Sequence, residues 1–185
     1  MARPTKSGKE PQAPNTVNRH ELLVDGSDFE FRQFVHDSLG FATRLLAVRD
    51  GFAKLLGVSG PQYTILISVA HLAERGPVTV SGIANHLHLS GSFVTTESNK
   101  LAKLGLLSKV TDEEDRRRVL LEVTDDGDRR LHELAEVQAD VNDVHFGCLD
   151  DASFDRVRAI MPELVVSTDQ ALSLLDHLTT MRSSA

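Results

Sequence analysis

One pair of short aliphatic runs interrupts a chain whose apolar residues otherwise recur every three or four positions. The runs are Leu106–Thr111 and Arg118–Val123, and the polar turn between them reads "DEEDRR". They form a β-hairpin with a turn longer than the tight two-residue type. Ahead of it, Phe31, Phe34, Val35, Leu39, Ala42, Leu45, Leu46, Phe52 and Leu56 mark a helix over Phe29–Leu56 that Gly57 ends. "GPQYTILISVAHLAERG" is a second helix, with Pro61 in its first turn and Gly76 at its end. "TVSGIANHLHL" is a short helix capped by Thr79 or Ser81, and "SGSFVTTESNKLAKLG" is another, capped by Ser90 and closed at Gly105.

Behind the hairpin, Thr124 caps a long helix to about Leu149, striped by Leu131, Leu134, Val137, Val141, Val144 and Cys148. A last helix follows Asp150 or Asp151 and runs to about Leu178. Its stripe includes Phe154, Val157, Ile160, Met161, Leu164, Leu175 and Leu178, and Pro162 inside it is expected to kink or divide it. Three helices and then a two-stranded hairpin make a winged helix-turn-helix. In that unit the second of the two short helices is the one that enters a DNA major groove. The expected fold is mainly α with a small β-hairpin, a winged helix-turn-helix DNA-binding lobe and a helical dimerisation lobe. Residues 1–27, with Pro4, Pro11 and Pro14, read as a mobile arm. Residues 28–57 and 124–185 are assigned to dimerisation, and residues 58–123 to the winged lobe.

The charge is partitioned along the chain. The total is −7, which argues against indiscriminate binding to polyanions. Yet His86–Arg118 sums to +1, while Asp125–Asp176 carries 13 acids and only 4 arginines. The hairpin region is therefore the expected DNA face. Arg116 and Arg117 sit where a hairpin tip reaches a minor groove, whose negative potential favours arginine, and Asp115 is placed to aim their guanidinium groups. A solvated loop is the competing reading of the same turn. On the second short helix, Ser92, Thr95, Thr96, Asn99 and Lys103 lie opposite an inner face of Val94, Leu101 and Leu104. Ser, Thr and Asn are the small donors and acceptors that read base edges. Ser90, Ser92, Thr95, Thr96, Asn99 and Lys100 are the expected contacts of the recognition helix.

Other chemistry finds little support. There is no nucleophile elbow, P-loop, dinucleotide fingerprint or paired-carboxylate motif, so an enzyme is not expected, nor a cofactor. His86 and His88 are two residues apart and do not converge on a helix. His132 and Glu136 read as an exposed polar pair, so no metal site is expected. The single cysteine, Cys148, reads as a buried interface residue and fits a reducing cytoplasm. No apolar run approaches the roughly 18–20 residues that span a bilayer, and the first residues lack the apolar core of a secretory signal.

The segments "GPQYTIL", "GPVTVSGIANHL", "LSGSFVTTESNKLAKLGLL" and "DRRRVLLEVTDDG", in that order, resemble the MarR (multiple-antibiotic-resistance regulator) family over about Phe31–Leu178. The last is the most specific: Asp-Arg-Arg in the wing, an apolar strand, then Val-Thr-x-x-Gly opening the long helix. The resemblance implies a homodimer with interlaced terminal helices, a palindromic double-stranded DNA operator, and in most members repression. It also implies release by a small, often phenolic or aromatic, ligand. Candidate ligand contacts are His36, Arg44, Tyr63 and His71, each with a bland alternative as solvated or core positions. The alternatives for function are a metal- or redox-responsive regulator of the same fold, and a helical docking module that does not bind DNA. Three departures from the family stand out: Thr96 where Arg is frequent, Glu97 where an apolar residue is usual, and His88 where Gly is common.

Overall fold

The computed structural model describes residues 14–183 except Glu113, Glu114 and Arg117. Its element order is a 3-10 turn at His20–Leu22, then α1 (Phe29–Leu56), α2 (Gly60–Ala73), α3 (Val80–Leu87), α4 (Gly91–Lys103), β1 (Leu107–Thr111), β2 (Val119–Val123), α5 (Asp125–His145) and α6 (Asp151–Ser183). The described residues fall into two compact units that meet inside α5, after Leu131. The fold is the one expected, mainly helical with one antiparallel hairpin.

The helix ends follow local chemistry. Gly57 takes a left-handed conformation (φ 77°), so its N–H and that of Val58 close the last turn of α1 onto Ala53 and Lys54 carbonyls. Ser59 and Gln62 form a reciprocal capping box at the start of α2, each side chain bonded to the other's backbone. The second helix stops at Ala73 rather than reaching Gly76. Arg75 and Gly76 donate three residues back in tighter turns, and Gly76 (φ 138°) precedes Pro77, which bars it from the helical region. Likewise α5 ends at His145, four residues short of the expected Leu149, in turns closed by Gly147 N–H to Val144 O and Leu149 N–H to Phe146 O. Helix α6 runs unbroken through Pro162.

Part of the expected mobile arm lies outside the described residues. From Asn15 onward the chain makes specific bonds. Thr16 donates both its N–H and its hydroxyl to Asp28 Oδ2, each at 2.7 Å, and Arg32 approaches the other carboxylate oxygen at 3.4 Å. The two Thr16 bonds are the main reason that the Asp28 carboxyl is held below its ordinary value.

The core of the first unit surrounds α2. Tyr63, Ile65, Leu66 and Val69 are fully buried, and α1, α3, α4 and β2 all pack on this helix. A two-stranded hairpin is marginal alone in water. Here β1 pairs with β2 from Leu107↔Val123 to Thr111↔Val119, and Leu121 N–H donates to Val78 O, which ties the hairpin to the segment entering α3.

The Val-Thr-x-x-Gly signature has a physical basis at this junction. Thr124 Oγ1 accepts from Gly127 N–H at 3.1 Å and donates to Gly105 O at 2.5 Å, so one hydroxyl joins the start of α5 to the end of α4. A Cβ on Gly127 would lie 2.4 Å from Leu106 O and 2.8 Å from Val123 Cγ1. Gly127→Ala is expected to destabilise by about 1–3 kcal/mol from overpacking, outweighing the gain of up to about 1 kcal/mol in helix propensity. A urea midpoint equal to or above the parent's would contradict this.

Candidate nucleic-acid interface

Helix α3 begins where Thr79 Oγ1 accepts from Gly82 N–H at 2.9 Å, which selects Thr79 over Ser81 as the cap. It ends at His88, which is left-handed (φ 53°, ψ 44°), with Leu89 N–H returning to Ala84 O at 2.9 Å. That geometry is the one Gly supplies at the end of many helices. Ser90 then caps α4 by accepting from Phe93 N–H at 3.3 Å. The turn between the two short helices is thus fixed by His88 and Ser90.

On α4, Val94, Glu97, Ser98 and Leu101 are buried, while Ser92, Thr95, Thr96, Asn99, Lys100 and Lys103 are exposed. The polar residues expected on the outer face are exposed, but so is Leu104, which was expected on the inner face. Thr95 and Thr96 donate their hydroxyls to Gly91 O and Ser92 O, at 2.8 and 2.9 Å. With the proton committed, each presents an oxygen acceptor and a methyl group outward.

Glu97 and Ser98 are the polar residues buried on the inner face of α4, and Glu97 is the charged one. Its carboxylate accepts from Lys100 Nζ at 2.7 Å and from Gln62 Nε2 at 3.0 Å. Gln62 uses its oxygen to cap α2, so one amide connects the start of α2 to the inner face of α4. Lys100, expected as a DNA contact, is in this arrangement the partner of Glu97. The Lys100 bond is the largest cause that holds the Glu97 carboxyl below its ordinary value, with Gln62 adding to it against the opposing effect of burial.

At the wing, Arg116 is exposed and forms no ion pair with a described residue. Arg117 lies outside the described residues. Arg118 Nη1 is 3.7 Å from Asp112 Oδ2, and its N–H donates to Asp115 O at 2.8 Å. Asp115 shapes the turn through its backbone, accepting from Arg118 and donating to Asp112 Oδ1 at 3.5 Å. Sequence reasoning missed Lys109, whose Nζ donates to Asn99 Oδ1 at 2.7 Å. The signal was present: Lys109 is two residues from buried Leu107, on the strand face turned to the helices.

A model of the MarR family matches residues 58–119, from just before α2 to the first residue of β2. Over those residues the chain is similar to the MarR family. It is 28% identical over 95 residues to an uncharacterised HTH-type transcriptional regulator, YpoP, of Bacillus subtilis; the match covers 51% of this chain and 65% of that protein's length. Among solved structures, a MarR protein from Peptoclostridium difficile aligns with a TM-score of 0.61 at 19% identity, covering 80% of this chain and 94% of that one. MepR of S. aureus, solved as a DNA complex, aligns with a TM-score of 0.56 at 15% identity, covering 81% and 99%. The family match covers α2, α3, α4 and β1 of this chain.

The expected ligand contacts differ in exposure. His36, Arg44 and His71 are exposed, and Arg44 Nη1 donates to Gly40 O at 2.9 Å. Tyr63 is only 1% exposed, against the Phe52 ring and beneath the Arg49 guanidinium, and burial raises its phenol pKa. A cleft of about 710 Å³ lies elsewhere in the first unit, lined by Ala70, Ala73, Pro77, Leu120 and Glu122 among others. Among the described residues, no group of three or more His, Cys, Asp or Glu is arranged to hold a metal ion. Cys148, expected in an interface, is exposed in the single chain. Among the described residues, no single helix is long and apolar enough to cross a membrane.

The Glu97 pair gives a pH prediction. A carboxyl with a lowered folded pKa contributes stability that is present above its unfolded value, near 4.5, and lost as pH falls through the folded value. The stability advantage of the parent over Glu97→Gln is therefore expected at neutral pH and to shrink below about pH 4.5. Urea midpoints of both proteins between neutrality and about pH 3 measure it. A gap that stays constant would show that the charge of Glu97 does not stabilise the fold.

Proposed function

We propose that the protein is a homodimeric repressor that binds a palindromic operator and leaves it when a small aromatic or phenolic ligand binds. The observation that carries the reading is the outer face of α4, where Ser92, Thr95, Thr96 and Asn99 stand exposed above a buried inner face. Hydroxyls, an amide and methyl groups, with little free charge, suit the mixed donor, acceptor and methyl pattern of base edges. Exposed Arg116 at the wing supplies the cation that a narrow groove attracts.

Dimerisation is supported by apolar surface that one chain leaves uncovered. Helix α6 has 33 residues and none is buried; Phe154, Ile160, Leu164, Leu175 and Leu178 all face solvent. Phe34, Leu39 and Leu46 of α1 are exposed as well. A second copy would bury these faces and present two recognition helices. Half-sites about one helical turn apart, some 34–36 Å, call for that pairing. Ligand release rests on the family resemblance and on His36, Arg44 and His71, which are open to a small carboxylate or phenol; Tyr63 is reached only if its neighbours move.

The test is affinity for duplexes enriched from a randomised pool, measured over a salt series. Arg116→Ala and Arg117→Ala are each expected to weaken binding by about 1–3 kcal/mol if a base-edge contact is lost. The slope of log affinity against log salt should fall by about one per subunit for each lost phosphate contact. Leu175→Asp is expected to impair dimerisation and folding together, seen by sedimentation. A parent protein that sediments as a folded monomer, or wing variants that match the parent at every salt, would defeat the corresponding part. Aromatic acids that release the duplex must bind more weakly in its presence by the same factor.

A further inference from the structure

Asn99 has the one side chain on the outer face of α4 with both an amide oxygen and an amide nitrogen. Bidentate pairing with adenine uses both: the oxygen accepts from N6 and the nitrogen donates to N7. In this protein the oxygen is already engaged. Lys109 Nζ donates to Asn99 Oδ1 at 2.7 Å and lies 3.4 Å from Ser98 Oγ. An ammonium only donates, so the oxygen must be the end of the amide that faces it. Ser98 is fully buried and donates to Thr95 O at 3.1 Å. Lys109 stands opposite buried Leu121 in the hairpin register, on the same strand face as buried Leu107. The ammonium is thus held between the hairpin and α4, and its hydrogen bond to the amide is charge-assisted.

We propose that Lys109 is a specificity-determining positioning residue: by holding Asn99 Oδ1 it leaves Asn99 to read DNA as a donor, favouring guanine over adenine at the base pair it meets. This rests on α4 being the DNA-reading helix. Guanine offers two acceptors, N7 and O6, on its major-groove edge, and the Asn99 NH2 has two hydrogens to give. The oxygen keeps a second lone pair, but adenine would have to bring its N6 donor to it beside the bound ammonium, so two donors, one of them charged, would converge there. The rival role for Lys109 is a phosphate contact. That role predicts a change in salt dependence and none in base preference.

The experiment enriches bound duplexes from a pool with a randomised centre, then measures affinity for the recovered duplex and for each single base-pair change. The proteins compared are the parent, Lys109→Met, which keeps the aliphatic stem without the donor, and Asn99→Asp, which keeps the bond to Lys109 and exchanges the NH2 for an acceptor. The parent is expected to select a G·C pair in each half-site whose change to A·T weakens binding about tenfold. In Lys109→Met that preference should fall to about threefold or less, or pass to A·T, as the freed amide accepts from adenine N6. Asn99→Asp should lose the guanine preference at the same pair. Unchanged preferences in Lys109→Met, with a salt slope lowered by about one per subunit, would overturn the inference and make Lys109 a phosphate contact. Retention of the guanine preference by Asn99→Asp would overturn it independently. A parent that enriches no sequence overturns both this inference and the DNA-binding reading beneath it, whereas enrichment by the parent with unchanged variants overturns this inference alone.

Discussion

Helix α2 has almost no face to give to water, and the rest of the winged lobe depends on that. Tyr63, Ile65, Leu66 and Val69 point in different directions around the helix and are all buried, so neighbours must close on it from several sides. Helices α1, α3 and α4 and strand β2 do so. Each of these neighbours is too short or too exposed to hold a core alone: α3 has eight residues and the hairpin two five-residue strands. Burying α2 therefore fixes α4 in place without needing a large apolar surface on α4. It also explains why the polar residues at this site are tightly partnered. Glu97 is carried into the boundary of the core and would be costly there without its two donors, Gln62 and Lys100.

Much of this was legible from sequence because it is local. The bounds of α1, the Ser90 cap and the Gly57 and Gly105 stops depend on residues within one turn of each other, and Thr124 was visible as a cap for the same reason. The ends of α2 and α5 were overextended. A periodic pattern does not reveal where the last carbonyls switch to tighter turns, and in α2 the restriction imposed on Gly76 by Pro77 decided it. The non-local features were not legible. Glu97 stood out as a departure from the family that the sequence resembles, yet its partner Gln62 is 35 residues away and was not singled out. The Lys109–Asn99 bond joins Asn99, expected as a base reader, to a strand residue that was not singled out.

The same split between local and non-local information applies to α6. Its apolar stripe was readable, and the structure leaves all of it exposed in a single chain. At about 25 cal/mol per Å² of apolar surface removed from water, a helix of this length and composition has a large stabilisation still unrealised. An isolated helix gains little from propensity alone, so such a stripe is stable in water only if something covers it. On the proposed function, a second copy would be that cover, and it would also give a palindromic operator its two-fold partner.

If α4 and the wing bind DNA as proposed, electrostatics divide the labour between them. Two lysines near the recognition face are engaged within the protein, Lys100 with Glu97 and Lys109 with Asn99. Either lysine that stays engaged adds less counterion release than its formal charge suggests. The C-terminal segment, with 13 acids over Asp125–Asp176, repels a polyanion rather than helping to hold it. On the DNA-binding reading, the long-range pull must come largely from Lys103 and the arginines of the wing, and α4 contributes mainly short-range discrimination. A protein arranged in this way would bind non-specific duplex weakly for its fold, because the charge that drives such binding is sparse. Its selectivity would then depend on how firmly the amide and hydroxyls of α4 are held before DNA arrives, and the bonds from Gln62 and Lys109 are what hold them.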